Sequence, residues 1–181
     1  NDAPVANAGS ATTNEDQNTV ISLTGSDIDG DALTYSLSVD AENGSVVING
    51  TVATYTPSQD FNGDDSFIFS VSDGELSATA TVTLTIDAVN DAPVLATVSN
   101  VTFDEDGSGS TSLSGSDVDG DDLTYSAENG EAQISVVGST LTITPLANYN
   151  GSDDVTVTVS DGELSNSASF TLTVTPVNDA P

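Results

Sequence analysis

Aspartate recurs at every second position in two short stretches of this sequence. The first stretch, SDIDGDALTYS, spans Ser26–Ser36, and the second, SDVDGDDLTYS, spans Ser116–Ser126. Carboxylates at this spacing repel one another, and the chain contains no lysine, arginine or histidine that could neutralise them. The counter-charge must therefore come from solution, and clustered carboxylate oxygens are the ligands that hard divalent cations prefer.

The whole chain is acidic, which narrows the classes of partner. Its 181 residues include 29 Asp and Glu and no Lys, Arg or His, for a formal net charge of -29. Nucleic acid and anionic membrane surfaces are excluded as partners, because binding phosphate requires cationic side chains. No apolar run is long enough to span a membrane, so no membrane insertion is expected. Metal ions and cationic partners remain.

A set of motifs occurs twice in the same order. NDAP begins at Asn1, Asn90 and Asn178, and between these points come an acidic pair, the aspartate stretch, an ENG turn, a TP pair, an NG turn and SDGELS. The sequence therefore predicts two tandem domains, residues 1–89 and 90–181, the second ending in the start of a further linker. Because the chain begins without methionine or a signal peptide, we expect it to be an excerpt of a longer protein.

Apolar residues alternate with polar ones between these motifs, which is typical of half-buried strands. Phe67, Phe69 and Val71 follow this pattern in the first repeat, and Val155 and Val157 follow it in the second. About seven short strands per repeat, separated by turn residues, predict an all-β fold of two tandem seven-stranded Greek-key β-sandwiches arranged end to end. Disorder, the other reading of an acidic chain, is disfavoured because 36% of the residues are hydrophobic.

The acidic motifs separate into two groups when they are placed on an antiparallel sandwich. The aspartate stretch, the SDG turn and the start of each repeat fall at one pole. The acidic pair, the NG turn and the exit fall at the other, so the exit of the first repeat adjoins the start of the second. This junction is expected to gather seven side chains, namely Glu15, Asp65, Asn90, Asp91, Asp117, Asp119 and Asp161.

Carboxylates gathered in this way favour neutralisation. Each pair a few ångströms apart costs about 3 kcal/mol at an effective dielectric constant near 20, and the sum over all pairs exceeds the ~5–15 kcal/mol stability of a domain. The groups could instead stay splayed in solvent or become protonated, and any single aspartate is ordinarily a solvated loop residue. Oxygen-only ligands in flexible loops, without His or Cys, favour Ca2+ over zinc or magnesium.

Several of these motifs resemble the cadherin-like tandem repeats of very large bacterial surface and secreted adhesins, and more distantly animal cadherins. They are VNDAPV (Val89–Val94), the acidic pair, SDxDGDxLTYS, FNGxDSF and VSDGE, and they cover both repeats from end to end. The resemblance implies one to three calcium ions between successive domains. Their ligands would be Glu15, the linker residues Asn90 and Asp91, and Asp117, Asp119 and Asp161, with Asp65 in the place of the family's acidic turn.

The same placement of the acidic motifs predicts a half-site at each outer pole, that is, a partial calcium site that a neighbouring repeat would complete. One comprises Asn1, Asp2, Asp27, Asp29 and Asp73, and the other comprises Glu105, Asp153, Asn178 and Asp179. Whether Asp16, Asp31, Asp106 or Asp121 is also a ligand stays open. Asp117, Asp119, Asp121 and Glu128 match the spacing of an EF-hand loop, but Asp122 stands where that loop requires glycine, so an EF-hand is not predicted.

The resemblance implies extracellular extender repeats, secreted or attached to a cell surface, that calcium stiffens into a rod. The expected partners are neighbouring repeats of the same chain. Any cell-surface or glycan ligand is expected to bind through other domains. The protein is expected to be a monomer. The alternative is a calcium-dependent carbohydrate-binding or homophilic adhesion module. Catalysis is not expected, because without His, Lys, Arg or Cys it would rest on a carboxylate pair such as Asp64 and Asp65.

Overall fold

The computed structural model describes residues 1–178 and consists of strands connected by turns and loops over that range. Two compact units are present, Asn1–Val89 and a second that begins at Asn90. Within the described residues each unit contains nine strand segments. No helix long and apolar enough to cross a membrane occurs in residues 1–178.

The first unit is a sandwich of seven strands in which the first two strands are each broken into two segments. The segments are β1 (Val5–Asn7), β2 (Gly9–Asn14), β3 (Thr19–Ser22), β4 (Thr24–Ser26), β5 (Thr34–Val39), β6 (Gly44–Asn49), β7 (Val52–Pro57), β8 (Gly63–Ser72) and β9 (Ser77–Asp87). One sheet has the order β2-β9-β8-β5 and another has the order β3-β7-β6, while β1 pairs with β4. The first strand therefore changes partners, because β1 runs antiparallel to β4 and β2 runs parallel to β9.

The second unit repeats this topology. Its segments are β10 (Val94–Leu95), β11 (Val101–Asp104), β12 (Gly109–Ser112), β13 (Gly115–Ser116), β14 (Thr124–Glu128), β15 (Ala132–Val137), β16 (Thr140–Pro145), β17 (Gly151–Ser160) and β18 (Ser165–Thr175). The sheets have the orders β11-β18-β17-β14 and β12-β16-β15, with β10 paired to β13. β11 is parallel to β18, as β2 is to β9.

Each unit has its own hydrophobic core, formed by the alternating residues of its strands. Phe67, Phe69 and Val71 on β8 are no more than 1% exposed, and Val155 and Val157 on β17 are fully buried. The residues between them are Ser and Thr for the most part, and they face outward because successive strand side chains point to opposite faces. The predicted all-β sandwich fold of the two repeats is thus confirmed.

The ENG motif takes a different register in the two repeats. Gly44 begins β6 and pairs with Pro57, whereas the residue that pairs with the matching Pro145 is Ala132, two positions beyond Gly130. A Cβ on Gly44 would lie 2.4 Å from the ring of the buried Tyr55, while a Cβ on Gly130 would meet nothing within 4 Å. The motif recurs in sequence, but only the first copy makes room for an aromatic ring.

Candidate metal centres

The aspartate stretch forms a tight loop between β4 and β5, and Asp27–Asp31 is called the first aspartate loop below. Asp27 Oδ1 accepts hydrogen bonds from the backbone N–H groups of Asp29 (2.8 Å) and Asp31 (3.4 Å). Gly30 allows the chain to turn around this oxygen because its φ of 80° is in the left-handed region. The loop is therefore wrapped around one oxygen of one carboxylate.

The other oxygen of that carboxylate is buried without a partner. Asp27 Oδ2 is buried, and no hydrogen bond reaches it from residues 1–178. Carboxylate oxygens of Asp27, Asp29 and Asp31 all lie within 4.8 Å of one another. A buried, uncompensated carboxylate oxygen is unfavourable, and a cation is the natural partner for it in a chain without basic side chains.

The start of the chain and the β8–β9 turn are tied to this loop and to each other. The backbone N–H of Asp2 donates to Asp29 Oδ2 (2.7 Å), and the side-chain amide of Asn1 donates to Asp73 Oδ2 (3.0 Å). The structure thus brings together all of the residues of the predicted first half-site, in one N-terminal pole of the unit. The set comprises Asn1, Asp2, Asp27, Asp29 and Asp73.

The second unit has the same N-terminal pole. Asp117–Asp121, the second aspartate loop, has Asp117 Oδ1 accepting from the N–H groups of Asp119 (3.0 Å) and Asp121 (3.4 Å). Asp117 Oδ2 is again buried without a hydrogen bond from the described residues. The backbone N–H of Asp91 donates to Asp119 Oδ2 (2.9 Å), and the amide of Asn90 donates to Asp161 Oδ2 (3.0 Å). Five of the seven predicted junction residues therefore lie together.

The aspartates of the last turn are held in the charged form. Asp73 Oδ1 accepts the N–H groups of Leu76 and Glu75, each at 2.7 Å, and these bonds lower the pKa of the carboxyl. Desolvation alone would raise the pKa of Asp161, but hydrogen bonds from Asn90 and from the backbone of Leu164 outweigh it, so the pKa is lowered. Both carboxylates are thus kept ionised, as a metal ligand must be.

Glu15 lies at the C-terminal pole of the first unit. It is 3% exposed, and its Oε1 accepts the N–H of Val89, the last residue of the unit, at 2.6 Å. Glu105 holds Val177 in the same way at 2.7 Å in the second unit. Both glutamates therefore fix the outgoing chain of their own repeat, which places a carboxylate at the start of the linker.

Asp60 contacts the acidic pair of the first repeat, a contact that the sequence does not predict. Its N–H donates to Asp16 Oδ1 (3.2 Å), and both residues have a positive φ, 55° for Asp60 and 57° for Asp16. Left-handed backbone at non-glycine residues is uncommon and tends to occur at functional sites. The matching Asn148 of the second repeat also has a positive φ, of 60°.

Asp65 lies in strand β8, not in the predicted turn, because β8 begins at Gly63 and Asp65 pairs with Leu84. Its carboxylate accepts four hydrogen bonds, from the N–H groups of Glu42, Asn43 and Ser66 and from the hydroxyl of Tyr55. Burial and the bond to Asp65 raise the pKa of Tyr55. These contacts give Asp65 a role in holding the ENG turn, and its metal ligation stays a prediction.

Asp153 also lies in a strand, β17, where it pairs with Leu172. Its Oδ2 accepts the side-chain amide of Asn129 at 3.1 Å, so it too holds the ENG turn of its repeat. The remaining residues predicted for the last half-site are Asn178, which ends the described part of the chain, and Asp179, which lies outside the described residues.

An open groove of about 700 Å³ lies on the first unit beside the ENG turn. Its polar lining includes Asp40, Glu42, Asp64 and Thr83. None of its lining residues is aromatic, so it lacks the stacking surface with which proteins commonly hold sugar rings. The groove is open to solvent, and most of its lining side chains are acidic or polar.

The family described as bacterial Ig domain matches residues 1–85 and again residues 90–175. Chitinase A of Pseudoalteromonas piscicida is 34% identical over 155 residues, which are 82% of this chain and 19% of that protein, so the chain spans about a fifth of that relative. Drosophila N-cadherin EC1-4 is similar with a TM-score of 0.67 at 19% identity, over 98% of this chain and 50% of that one. Human protocadherin-24 EC1-2 is similar with a TM-score of 0.65 at 18% identity, over 97% of this chain and 100% of that one. These two structural likenesses show the fold.

Proposed function

Because the chain belongs to the bacterial Ig domain family, with two copies in tandem, we propose that it forms calcium-stiffened extender repeats of a large extracellular adhesin. Bacterial Ig and cadherin-like domains are typically extracellular and non-catalytic, which supports a structural role outside the cell. The cadherin-like fold and the acidic clusters support calcium as the ion. We also propose that the protein is a monomer, that it is not an enzyme, and that its partners are the neighbouring repeats of the same chain.

One observation carries the proposal, namely that each unit independently builds the same acidic N-terminal pole. In both, an aspartate loop leaves a buried carboxylate oxygen without a hydrogen bond from the described residues, at Asp27 Oδ2 and at Asp117 Oδ2. Only oxygen ligands are available, on loops that can adjust, and calcium tolerates such irregular sets better than magnesium does. The residues present therefore fit calcium.

Calcium would act at the linker between Val89 and Asn90. The backbone of this linker is already held within each unit, Val89 by Glu15 and Asp91 by Asp119. An ion bound by carboxylates of both repeats would replace their mutual repulsion by attraction to a shared charge. The proposed ligands are those predicted from the sequence for this junction, namely Glu15, Asp65, Asn90, Asp91, Asp117, Asp119 and Asp161.

The similarity to a chitinase favours a second kind of parent protein, in which the repeats have the same extender role. In that case the repeats would separate the domains of a polysaccharide hydrolase, since about four-fifths of the chitinase lies outside the similar region. A glycan-binding role for the repeats themselves has less support, because the groove of the first unit has no aromatic lining. Any glycan ligand of the parent protein would then be bound by other domains.

Small-angle X-ray scattering tests the stiffening. We expect the maximum dimension of the two-repeat chain to be longer, and its distribution narrower, in millimolar calcium than in chelator, since extracellular calcium modules bind at about 10⁻⁴ to 10⁻³ M. Asp117→Asn with Asp119→Asn should remove the difference. Asp64→Asn with Asp122→Asn is the control of equal charge change and should keep it. An identical scattering profile in calcium and chelator would refute the proposal.

A further inference from the structure

We infer that the groove beside the ENG turn of the first repeat is a docking site for an extended, lysine- or arginine-bearing segment of another protein, which would add a strand beside β8. Such a site would be separate from the metal centres and would not depend on calcium. Three features of the molecule support it, namely an incomplete strand pairing in the first unit, a difference between the two repeats, and the charge of the groove.

Strand β8 extends well beyond the end of its neighbour β5. β5 pairs with β8 only from Ser72 to Ile68, and the register shifts between Leu37 and Val39. The rest of β8, Gly63–Phe67, pairs with β9 on one side and with no strand of the described residues on the other. At about 3.3 Å per residue this free edge of β8 is roughly 17 Å long, which is enough for a short peptide strand.

The backbone groups of Ser66, which lines the groove, point to this free edge. The N–H of Ser66 donates to Oδ1 of Asp65 at 2.7 Å, and the N–H of Glu42 reaches the same oxygen. Because the N–H and C=O groups of one strand residue point to the same side, the carbonyl of Ser66 lies at the free edge as well. No loop residue or side chain among residues 1–178 donates to this carbonyl, so it is available to an added strand.

The second repeat covers the same edge with one of its own side chains. Asp154 matches Ser66 in register, and its carbonyl accepts the side-chain amide of Asn129 at 2.7 Å. The side chain of the matching Asn43 makes no hydrogen bond with the described residues. The groove has a volume of about 310 Å³ in the second repeat, against about 700 Å³ in the first. The edge is therefore open in the first repeat, and open strand edges are what an added strand recognises.

The carboxylates of the groove favour a cationic partner. The side chain of Glu42 has no hydrogen bond with residues 1–178, Asp64 has only the 3.4 Å bond with Thr85, and Asp40 accepts two backbone N–H groups through Oδ1 alone. None of these three acids belongs to a group of three in the described residues whose oxygens lie within 4.8 Å of one another. They therefore suit several separate charges better than one metal ion, and a strand with a cationic side chain at every second residue supplies charges about 6.6 Å apart.

The partner is a different protein rather than a second copy of this chain. A second copy contains no Lys, Arg or His and carries the same charge of -29, so the two copies repel each other. Val39 also lines the groove and is 52% exposed, which offers an apolar contact to the added strand. Cationic residues that alternate with apolar ones would thus match both the acids and the valine.

NMR and calorimetry on the two-repeat chain, in chelator and about 0.15 M salt, test the docking site. The probe is a synthetic peptide in which lysine alternates with valine, so that its lysines share one face of a strand. We expect it to shift the amide signals of Gly63–Phe67 and to leave those of Gly151–Val155 in place. Glu42→Gln with Asp64→Asn should weaken its binding about threefold to tenfold, since each exposed charge pair contributes modestly. Glu128→Gln with Asp154→Asn makes the same change in the second repeat and should leave the affinity unaltered.

A second peptide distinguishes strand addition from simple attraction of opposite charges. It has the same number of lysines but two adjacent prolines at its centre, which remove a backbone N–H on each side of the strand. It should bind at least about tenfold more weakly. Equal affinities of the two peptides, or equal shifts in both repeats, would overturn the docking site and leave the calcium proposal untouched. Circular dichroism of each variant establishes that a lost affinity does not reflect a lost fold.

Discussion

Asp27 and Asp65 are aspartates of the same repeat, but their surroundings give them opposite capacities. Four protein donors reach the carboxylate of Asp65, two at each oxygen. The two donors that reach Asp27 share one oxygen and leave the other buried without a hydrogen bond from the described residues. A carboxylate saturated by the protein supports the fold, whereas one that is half satisfied can accept an ion.

Replacing Asp65 by Asn should therefore destabilise the first repeat whether or not calcium is present. The amide nitrogen would stand in the place of Oδ2, so the N–H of Asn43 would lose its acceptor and the hydroxyl of the fully buried Tyr55 would keep only its longer 3.3 Å bond to the carbonyl of Asn43. We expect a loss of about 1–3 kcal/mol in the free energy of unfolding, as for buried donors left unpaired. Native-state hydrogen exchange at the amides of β7 measures this loss for the first repeat alone.

Asp64→Asn is the matched control for this variant. Asp64 makes one 3.4 Å hydrogen bond, with Thr85, on the exposed side of the same strand. Its replacement should change the free energy of unfolding by no more than about 0.5 kcal/mol. A loss for Asp65→Asn that is much larger in calcium than in chelator would instead identify Asp65 as a metal ligand.

At the scale of strands, the start of β6 differs between the repeats because of one aromatic residue. Tyr55 fills the inner face of β7 and contacts the position of Gly44, whereas the register position of Tyr55 in the second repeat is held by Ile143, and that of Gly44 by Ala132. Glycine and tyrosine in one repeat thus replace alanine and isoleucine in the other. The two pairs are alternative solutions to the same packing problem.

Gly44→Ala should accordingly cost about 1–3 kcal/mol of stability, because the new Cβ would lie 2.4 Å from the ring of Tyr55 and 2.6 Å from the carbonyl oxygen of Thr56. The same change in a Tyr55→Ile background should cost less, since the second repeat already combines Ala with Ile at this place. Urea denaturation of the four proteins forms a double-mutant cycle. Gly130→Ala, with nothing within 4 Å, is the control. Equal costs in both backgrounds would show that Tyr55 is not the obstacle.

These strands also show how far the sequence alone predicts the structure. Alternation predicts β8 and β17 because their inward residues, such as Phe67 and Val155, are repeated at period two. It does not predict the register of β6, since ENG occurs at different places in the ladder. The alternating direction of successive strands predicts which turns share the N-terminal pole, where Asn90 donates to Asp161 and Asp91 donates to Asp119.

The sequence predicts the roles of individual acids less well than their positions. Asp65 resembles a loop acid until the hydroxyl of Tyr55 and the neighbouring N–H groups are seen around it. The contact of Asp60 is missed because it arises from a left-handed backbone conformation in which the N–H of Asp60 donates to Asp16. Both depend on contacts between segments that are distant along the chain, and a local motif contains no information about such contacts.

At the scale of the whole molecule, the charge of -29 is compensated by no basic side chain. Folding concentrates these carboxylates, so their repulsion destabilises the folded state relative to the extended chain. Monovalent salt weakens this repulsion only by screening, over a Debye length of ~8 Å at 0.15 M. A specifically bound ion instead adds its own binding free energy, about 1.4 kcal/mol per site at ten times its dissociation constant.

The melting temperature should therefore rise more in calcium than in any salt of equal ionic strength. One kcal/mol corresponds to about 4–8 °C for domains of 60–100 residues, so two or more occupied sites give a shift that is readily measured. We expect the order calcium, then magnesium, then sodium, because the oxygen sets are irregular and magnesium requires a near-ideal octahedron. Differential scanning calorimetry measures this order of melting temperatures. The scans are made in chelator with sodium, in magnesium and in calcium, all at one ionic strength. Equal melting temperatures in all three would mean that the acids are only screened, and that the clustered aspartates bind no ion specifically.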